Sequence, residues 1–279
     1  MTNPIADPLV ENVIVDDVAS VVKLESTLEG VATVTISRPA KRNAIDLIAI
    51  EGLTEAFETL QGADHVRVVF ITGEGGNFCA GADIEWTAAA TELSESENRQ
   101  DGMALARMLK ALTEIPAVTV ALVEGAAMGA GGGIIAACDL AVAVEGCRIG
   151  FPEAKLGITA SVIAPYVANA IGPRAAKALF VTARVVGAAK AEALGLVQEV
   201  AADAAALAGI KDRIVAEVVA CAPGAVAAVK REVWEVWAQP IDHGLMEKTA
   251  HWLARRRMSD EGREGVAAFR ERRKPDWSN

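Results

Sequence analysis

Aromatic residues are scarce in this chain, at 4% of 279 residues with a single tyrosine. The core must then be built largely from Ala, Val, Leu and Ile. Small residues of this kind suit close helix–helix contacts and subunit interfaces. The three histidines, His65, His243 and His251, stand far apart, and the four cysteines, Cys79, Cys138, Cys147 and Cys221, form no Cys-x-x-Cys pair. No metal site is expected from such spacing, and buried thiols in a reducing compartment are the default. A Gly-x-Ser-x-Gly turn is missing, which disfavours a serine hydrolase. The glycines between 129 and 133 do not fit Gly-x-Gly-x-x-Gly, so a dinucleotide site is a weak reading. The longest apolar run, residues 125–144, is broken by Asp139 and crowded with glycine, and reads poorly as a membrane span. Residues 1–17 are acidic and lack the basic segment of a signal or transit peptide; a loose tail and a cytoplasmic location are expected. Net charge is −10, which argues against a nucleic-acid surface.

Hydrophobic residues make up 52% of the chain, enough for a packed globular core. Strands are expected at 21–25, 31–36, 66–71, 117–123, 140–144, 148–151 and 197–200. Helices are expected at 47–60, capped by Asp46, and at 94–114, where Ser94 and Glu97 form a capping box. A further helix is expected from Ile134, and the stretch 203–273 reads as a helical module. Strands alternating with helices predict an α/β fold with mostly parallel pairing.

Two glycine-rich turns, 72–83 and 124–133, each follow a buried strand. In a parallel sheet both would open at the same edge. The second holds only Gly, Ala and Met from 125 to 133. It offers no acid, base or nucleophile, only bare backbone. Such a turn fits either tight packing or a pair of N–H donors for a substrate oxygen. A third loop places Glu153 between apolar neighbours, where it is either an ordinary surface glutamate or a desolvated acid suited to proton transfer. The cations Arg255 to Arg257, Arg263 and 270–274 fit either a solvated helix face or a site for ligand phosphates.

Ser37, Arg38, Pro39, Asn43 and Ala44, then Phe78 to Ile84, then Gly125 to Asp139, then Phe151, Pro152, Glu153, Leu156 and Gly157, resemble in order and spacing the crotonase (enoyl-CoA hydratase/isomerase) superfamily. Residues 189–197 and Phe269 with Arg273 to Pro275 match as well, so the resemblance covers about 20–275. It implies a crotonase-like ββα spiral core over 18–200 and a C-terminal helical trimerisation module over 201–279, with a homotrimer or dimer of trimers. The implied substrate is an acyl-CoA, with coenzyme A as its carrier portion and no separate cofactor or metal. The N–H groups of Ala82 and Ala130 would hold the thioester oxygen, and Glu153 would be the acid/base. Ala80, Ala82 and Ile84, with Lys41 and Ala44, would border the adenine and pantetheine, Asp83, Met128 and Gly129 would also bind the substrate, and Phe269 with Lys274 would reach the CoA, often of a neighbouring subunit.

Hydratases of this family usually carry two glutamates, and the first falls here on Gly133. A branch that resembles 3-methylglutaconyl-CoA hydratase includes members with glycine there. It is similar to this chain also in Ala80 to Trp86, Glu97 to Arg99 and Ile163 to Val167. On that resemblance Gly133 would make room for a branched or carboxylated acyl group, and Trp86, Met128, Phe151 and Tyr166 would shape its pocket. A single glutamate is also compatible with a Δ3,Δ2-enoyl-CoA isomerase. A non-catalytic acyl-CoA- or RNA-binding role is the remaining alternative.

Overall fold

The structure, a computed structural model, describes residues 21–278; the expected tail at 1–17 lies outside the described residues. Strands β1 (Val22–Ser26) and β2 (Val31–Ile36) form a hairpin. Asp46 caps α1 (Leu47–Gln61) by accepting from Ala49 N–H. After β3 (Val68–Gly73) come α2 (Ile84–Ala90) and α3 (Glu95–Thr113), and the Ser94–Glu97 capping box is present. Strands β4 (Val118–Val123) and β5 (Ala126–Met128) lead into α4 (Ala130–Ala137). Then follow β6 (Leu140–Val144), β7 (Arg148–Gly150), α5 (Ala164–Ile171), α6 (Pro173–Thr182), β8 (Val185–Gly187), α7 (Ala188–Leu194) and β9 (Glu199–Ala201). The chain closes with α8 (Ala204–Val219), α9 (Pro223–Val236), α10 (His243–Met258) and α11 (Asp260–Glu271).

Strands of the main sheet run in the order β1-β2-β3-β4-β6-β9, parallel except for the β1–β2 hairpin. Alternation along each strand sorts its side chains to two faces. Val34, Ile36, Val69, Ile71, Ala121 and Val123 face α1, α3 and α4 in the main core. Val68, Phe70, Val120, Leu122 and Val142 face the other way and meet Leu207 and Ile214 of α8. Helix α8, expected with the C-terminal module, thus covers the second face of the sheet.

Helix α1 buries Ile50, Leu53, Phe57 and Leu60 at helical spacing. In α3 the buried stripe is Met108, Leu109 and Leu112, while Met103, expected on that face, is half exposed. Lys230 on α9 ties the C-terminal helices to the sheet. Its ammonium donates to Ile115 O (2.7 Å) and Ala117 O (2.6 Å) and pairs with Asp139 (2.6 Å). No helix among the described residues is long and apolar enough to cross a membrane.

A second, three-stranded sheet, β5-β7-β8, is absent from the sequence expectation except for β7. It sits at the edge where the two glycine-rich turns emerge, and it sets their relative positions.

Candidate active site

Three extended segments lie side by side at the edge of the main sheet. Cys79 pairs in parallel with Ala127, and Ala127 pairs in parallel with Ile149. Hydrogen bonds from Cys79 N–H to Ala126 O (3.0 Å), from Met128 N–H to Cys79 O (2.9 Å) and from Gly129 N–H to Gly150 O (2.9 Å) hold the ledge together. The chain leaves each segment in the same direction. Three residues beyond the row come Ala82 on one segment and Ala130 on the next, and four beyond it on the third comes Glu153. The three groups expected from the sequence to act together are thereby delivered to one edge.

Among the described residues, neither Ala82 N–H nor Ala130 N–H has an acceptor. Helix α4 begins at Ala130, four residues earlier than expected, with Gly129 as an N-cap that supplies no side-chain hydrogen bond. The first-turn N–H groups therefore stay available, and the helix end adds partial positive charge. The glycine run explains why this helix can sit here. A Cβ on Gly131 would stand 2.5 Å from Cys79 O, and one on Gly132 would stand 2.5 Å from Phe151 Cε1. At Gly129 the backbone has φ +49°, a region that favours glycine, and a Cβ would stand 2.7 Å from Glu153 Oε1. Bare Cα atoms let the Cys79 carbonyl, the Phe151 ring and the Glu153 carboxyl all close on one short helix.

Gly133 corrects the sequence expectation. Its Cβ position collides with Ile163 Cγ2 and would lie 2.9 Å from Ile163 Cβ. Ile163 is buried. The space at Gly133 is filled by this chain's own side chain, so it is not room for an acyl branch. The glycine at 133 and the isoleucine that opens Ile163 to Val167 are the two halves of one close approach.

Glu153 Oε2 is buried without a hydrogen-bond partner, and burial pushes the carboxyl above the usual range. The residue borders a cavity of 270 Å³ walled by Phe151, Ile158, Ala160, Ala164, Phe180 and Val181, with Ala154, Thr159 and Ser161 completing the lining. Phe151 and Phe180 meet edge to face at 4.9 Å between centroids. Phe180, Thr159 and Ser161 were not singled out from the sequence. The one available signal was the pair of hydroxyl residues just beyond the Pro152–Gly157 loop.

Asp83 caps α2 through Glu85 N–H (2.9 Å) and pairs with Lys41 (2.7 Å) and Arg38 (3.2 Å). The Lys41 hydrogen bond, followed by the other contacts, holds its carboxyl below the ordinary range against the opposing effect of burial. Its side chain is committed to the loop and not directed at a ligand. Asn43, fully buried, fastens the same loop by donating to Glu74 O (2.8 Å) and Asn77 O (2.6 Å). Ala44 is buried; Ala80 is partly exposed, while Lys41, Ala82 and Ile84 are exposed beside this loop. Met128 lies on β5, where its carbonyl would stand 3.0 Å from a Cβ on Gly81. Trp86 packs against the main core.

Tyr166 lies elsewhere than the acyl pocket proposed for it. It lines a 710 Å³ cavity between α3, α5 and α9 with Glu114 and Trp234. Phe269 on α11 is 85% exposed, and Lys274 is exposed. Trp277 anchors the nearby terminus by donating to Ala220 O (3.2 Å), and its own carbonyl accepts from Arg67, just before β3. That anchor is at the opposite end of the strands from the glycine-rich turns. One chain therefore does not by itself bring Phe269 and Lys274 to Glu153. In the basic patch, Arg256, Arg263 and Arg273 are engaged by Glu261, Asp260 and Glu264. Cys79 and Cys147 are buried, whereas Cys221 is exposed, contrary to the expectation of buried thiols. Among the described residues no three His, Cys, Asp or Glu side chains gather as metal ligands would.

The enoyl-CoA hydratase/isomerase family profile matches residues 26–279. An (E)-benzylidenesuccinyl-CoA hydratase of Thauera aromatica is 30% identical over 247 residues, 88% of this chain and 94% of that protein. Among solved structures, Pseudomonas aeruginosa AtuE superposes with a TM-score of 0.89 at 34% identity, covering 93% of this chain and all (100%) of that one. An enoyl-CoA hydratase of Mycobacterium smegmatis superposes with a TM-score of 0.87 at 30% identity, covering 94% and 100%. The fold is therefore the crotonase fold expected from the motifs.

Proposed function

The chain belongs to the enoyl-CoA hydratase/isomerase family, and on that premise we propose that it adds water across the 2,3-double bond of an enoyl-CoA thioester. The observation that carries this reading is the delivery to one edge of two acceptor-free N–H groups, Ala82 and Ala130, and of a half-buried Glu153 whose Oε2 is buried without a partner. The N–H pair would hold the thioester oxygen as negative charge builds there, which commonly contributes about 3–4 kcal/mol per donor to the barrier. Glu153, kept neutral to higher pH by burial, would give a proton to Cα. The CoA portion would run past Lys41, Ala80 and Ile84, which border the same loop.

The wall of the 270 Å³ cavity is apolar apart from Glu153 and two hydroxyls, and no Lys or Arg lines it. An acyl carboxylate would meet no counter-charge there and would face Glu153. Of the acyl types considered, this supports an uncharged aliphatic group over a 3-methylglutaconyl-like one.

A second reading, isomerisation of a 3-enoyl-CoA, is favoured by one observation: Ile163 closes the position of a second acid, and one carboxyl suffices to move a proton between two carbons. The pH dependence of kcat separates the two. Hydration with Glu153 as the acid should slow as pH rises through its raised pKa. Isomerisation begins with the carboxylate and should slow as pH falls through it. A profile with the second sign would overturn the hydratase reading.

Trp237, Ile241, Val266 and Phe269 are exposed on the C-terminal helices and the α9–α10 connection, and large apolar side chains left in solvent there support assembly with further copies. On this reading Phe269 and Lys274 reach the CoA of a neighbouring chain. Sedimentation should give a trimer or hexamer mass; a monomer at assay concentration would contradict it.

A further inference from the structure

We propose that the hydroxyl pair Thr159–Ser161 holds the water that adds to the substrate, the task a second carboxylate would perform if position 133 could carry one. This rests on the hydratase reading above. Three observations carry it. Ile163 occupies the Cβ position of Gly133, so no acid can be placed there. Of the residues lining the cavity beside Glu153, only Thr159 and Ser161 have other polar side chains. Glu153 Oε2 is buried and lacks a partner.

The backbone segment that carries the pair is tied to Glu153. Ile158 N–H donates to Glu153 O (3.2 Å), and Ala164 N–H donates to Ala160 O (2.9 Å), so the segment is tied at both ends. The two hydroxyl oxygens are 2.7 Å apart. One hydroxyl donates to the other, which leaves the pair one proton and several lone pairs to offer. A water bound there can give one hydrogen to the hydroxyls and the other to Glu153, with a lone pair left for Cβ.

In the reaction, a water lone pair forms the bond to Cβ while the π pair of the double bond takes the Glu153 proton at Cα. The water's remaining acidic proton passes to the Glu153 carboxylate, which restores the acid. Neither hydroxyl changes its protonation state, and no further reactant is needed. The pair differs in this from a second glutamate. It orients the water without adding a negative charge to an apolar cavity already bordered by one carboxyl whose Oε2 lacks a partner.

The test uses the full chain, with Thr159→Val and Ser161→Ala combined and Thr159→Ser as the conservative control. Both positions are exposed, so the substitutions remove hydroxyls without opening the core. Two rates are measured: hydration of crotonyl-CoA, and exchange of the Cα proton of butyryl-CoA with deuterated solvent. Exchange needs the N–H pair and Glu153 but adds no water. The expected result is a fall in hydration kcat of about 10²-fold, with exchange and KM within a few-fold of the parent and Thr159→Ser close to the parent in both. Unchanged hydration in the double variant, or equal loss of both rates, would overturn the role of the pair while leaving Glu153 in place. A parent chain that neither hydrates nor exchanges would remove the underlying reading and the pair's role with it.

Discussion

Glu153→Gln should lower kcat for enoyl-CoA hydration by roughly 10²- to 10⁴-fold, the usual range for loss of a positioned general acid or base, while KM stays within a few-fold. The amide has nearly the shape of the carboxyl, so the close approach to Gly129 and the apolar cavity both persist. What is lost is the exchangeable proton at the Cα position. The same variant should be more stable than the parent at pH values above the folded-state pKa of Glu153. Burial raises the Glu153 pKa in the folded chain. The group therefore favours the fold most when protonated, and that contribution is lost as pH rises through the folded pKa. Replacing it by the neutral amide removes the loss, a gain present above that pKa that shrinks in acid. Thermal melts across pH check the sign. Slower turnover with higher stability is the combination expected of a functional acid held in an unfavourable place.

Gly133→Glu, the substitution that formally restores the missing acid, should instead destabilise the protein by roughly 3–5 kcal/mol. It combines overpacking against Ile163 with a charge pressed into an apolar core. Tm should fall by about 10 °C in a chain of this size, and hydration should not improve. The cause is local, so the double variant Gly133→Glu/Ile163→Ala should recover part of the lost Tm. A stable single variant with faster hydration would show that the Ile163 contact does not exclude an acid from this position. Calorimetry and crotonyl-CoA turnover on the two variants decide it.

The sheet and its long helices were legible in the sequence because apolar period and caps report burial directly. Val31–Ile36 alternates, α1 carries its stripe behind Asp46, and α3 starts on a capping box. The short second sheet was not legible. Ala126–Met128 and Val185–Gly187 are three residues each, too short for any period, and β5 lies inside a stretch whose composition signals a turn. The helical start at Ala130 was hidden for a related reason. Glycines at 131–133 carry poor intrinsic helix propensity, and only the close approach of Cys79, Phe151 and Ile163 makes their lack of a side chain useful.

At the site, Glu153 and the two turns could be named from motifs, but the meaning of Gly133 could not. An absent side chain is equally consistent with space for a ligand and space for a neighbour. The neighbour, Ile163, is thirty residues away in the chain. Likewise Asp83 reads from its motif as a ligand-facing residue, although Arg38 and Lys41 claim its carboxylate once the loop folds. Thr159 and Ser161 carry no motif of their own and become visible only as the polar part of an apolar wall.

The central claim is enoyl-CoA hydration by a single carboxyl beside two backbone donors. It is tested most directly by mixing the full chain, and separately its Glu153→Gln variant, with crotonyl-CoA and following the conjugated enoyl absorbance together with product mass. The account predicts that the parent bleaches the band and yields a product heavier by one water, while the variant leaves the band nearly unchanged. An unchanged band with the parent chain, or equal bleaching by both, would contradict it.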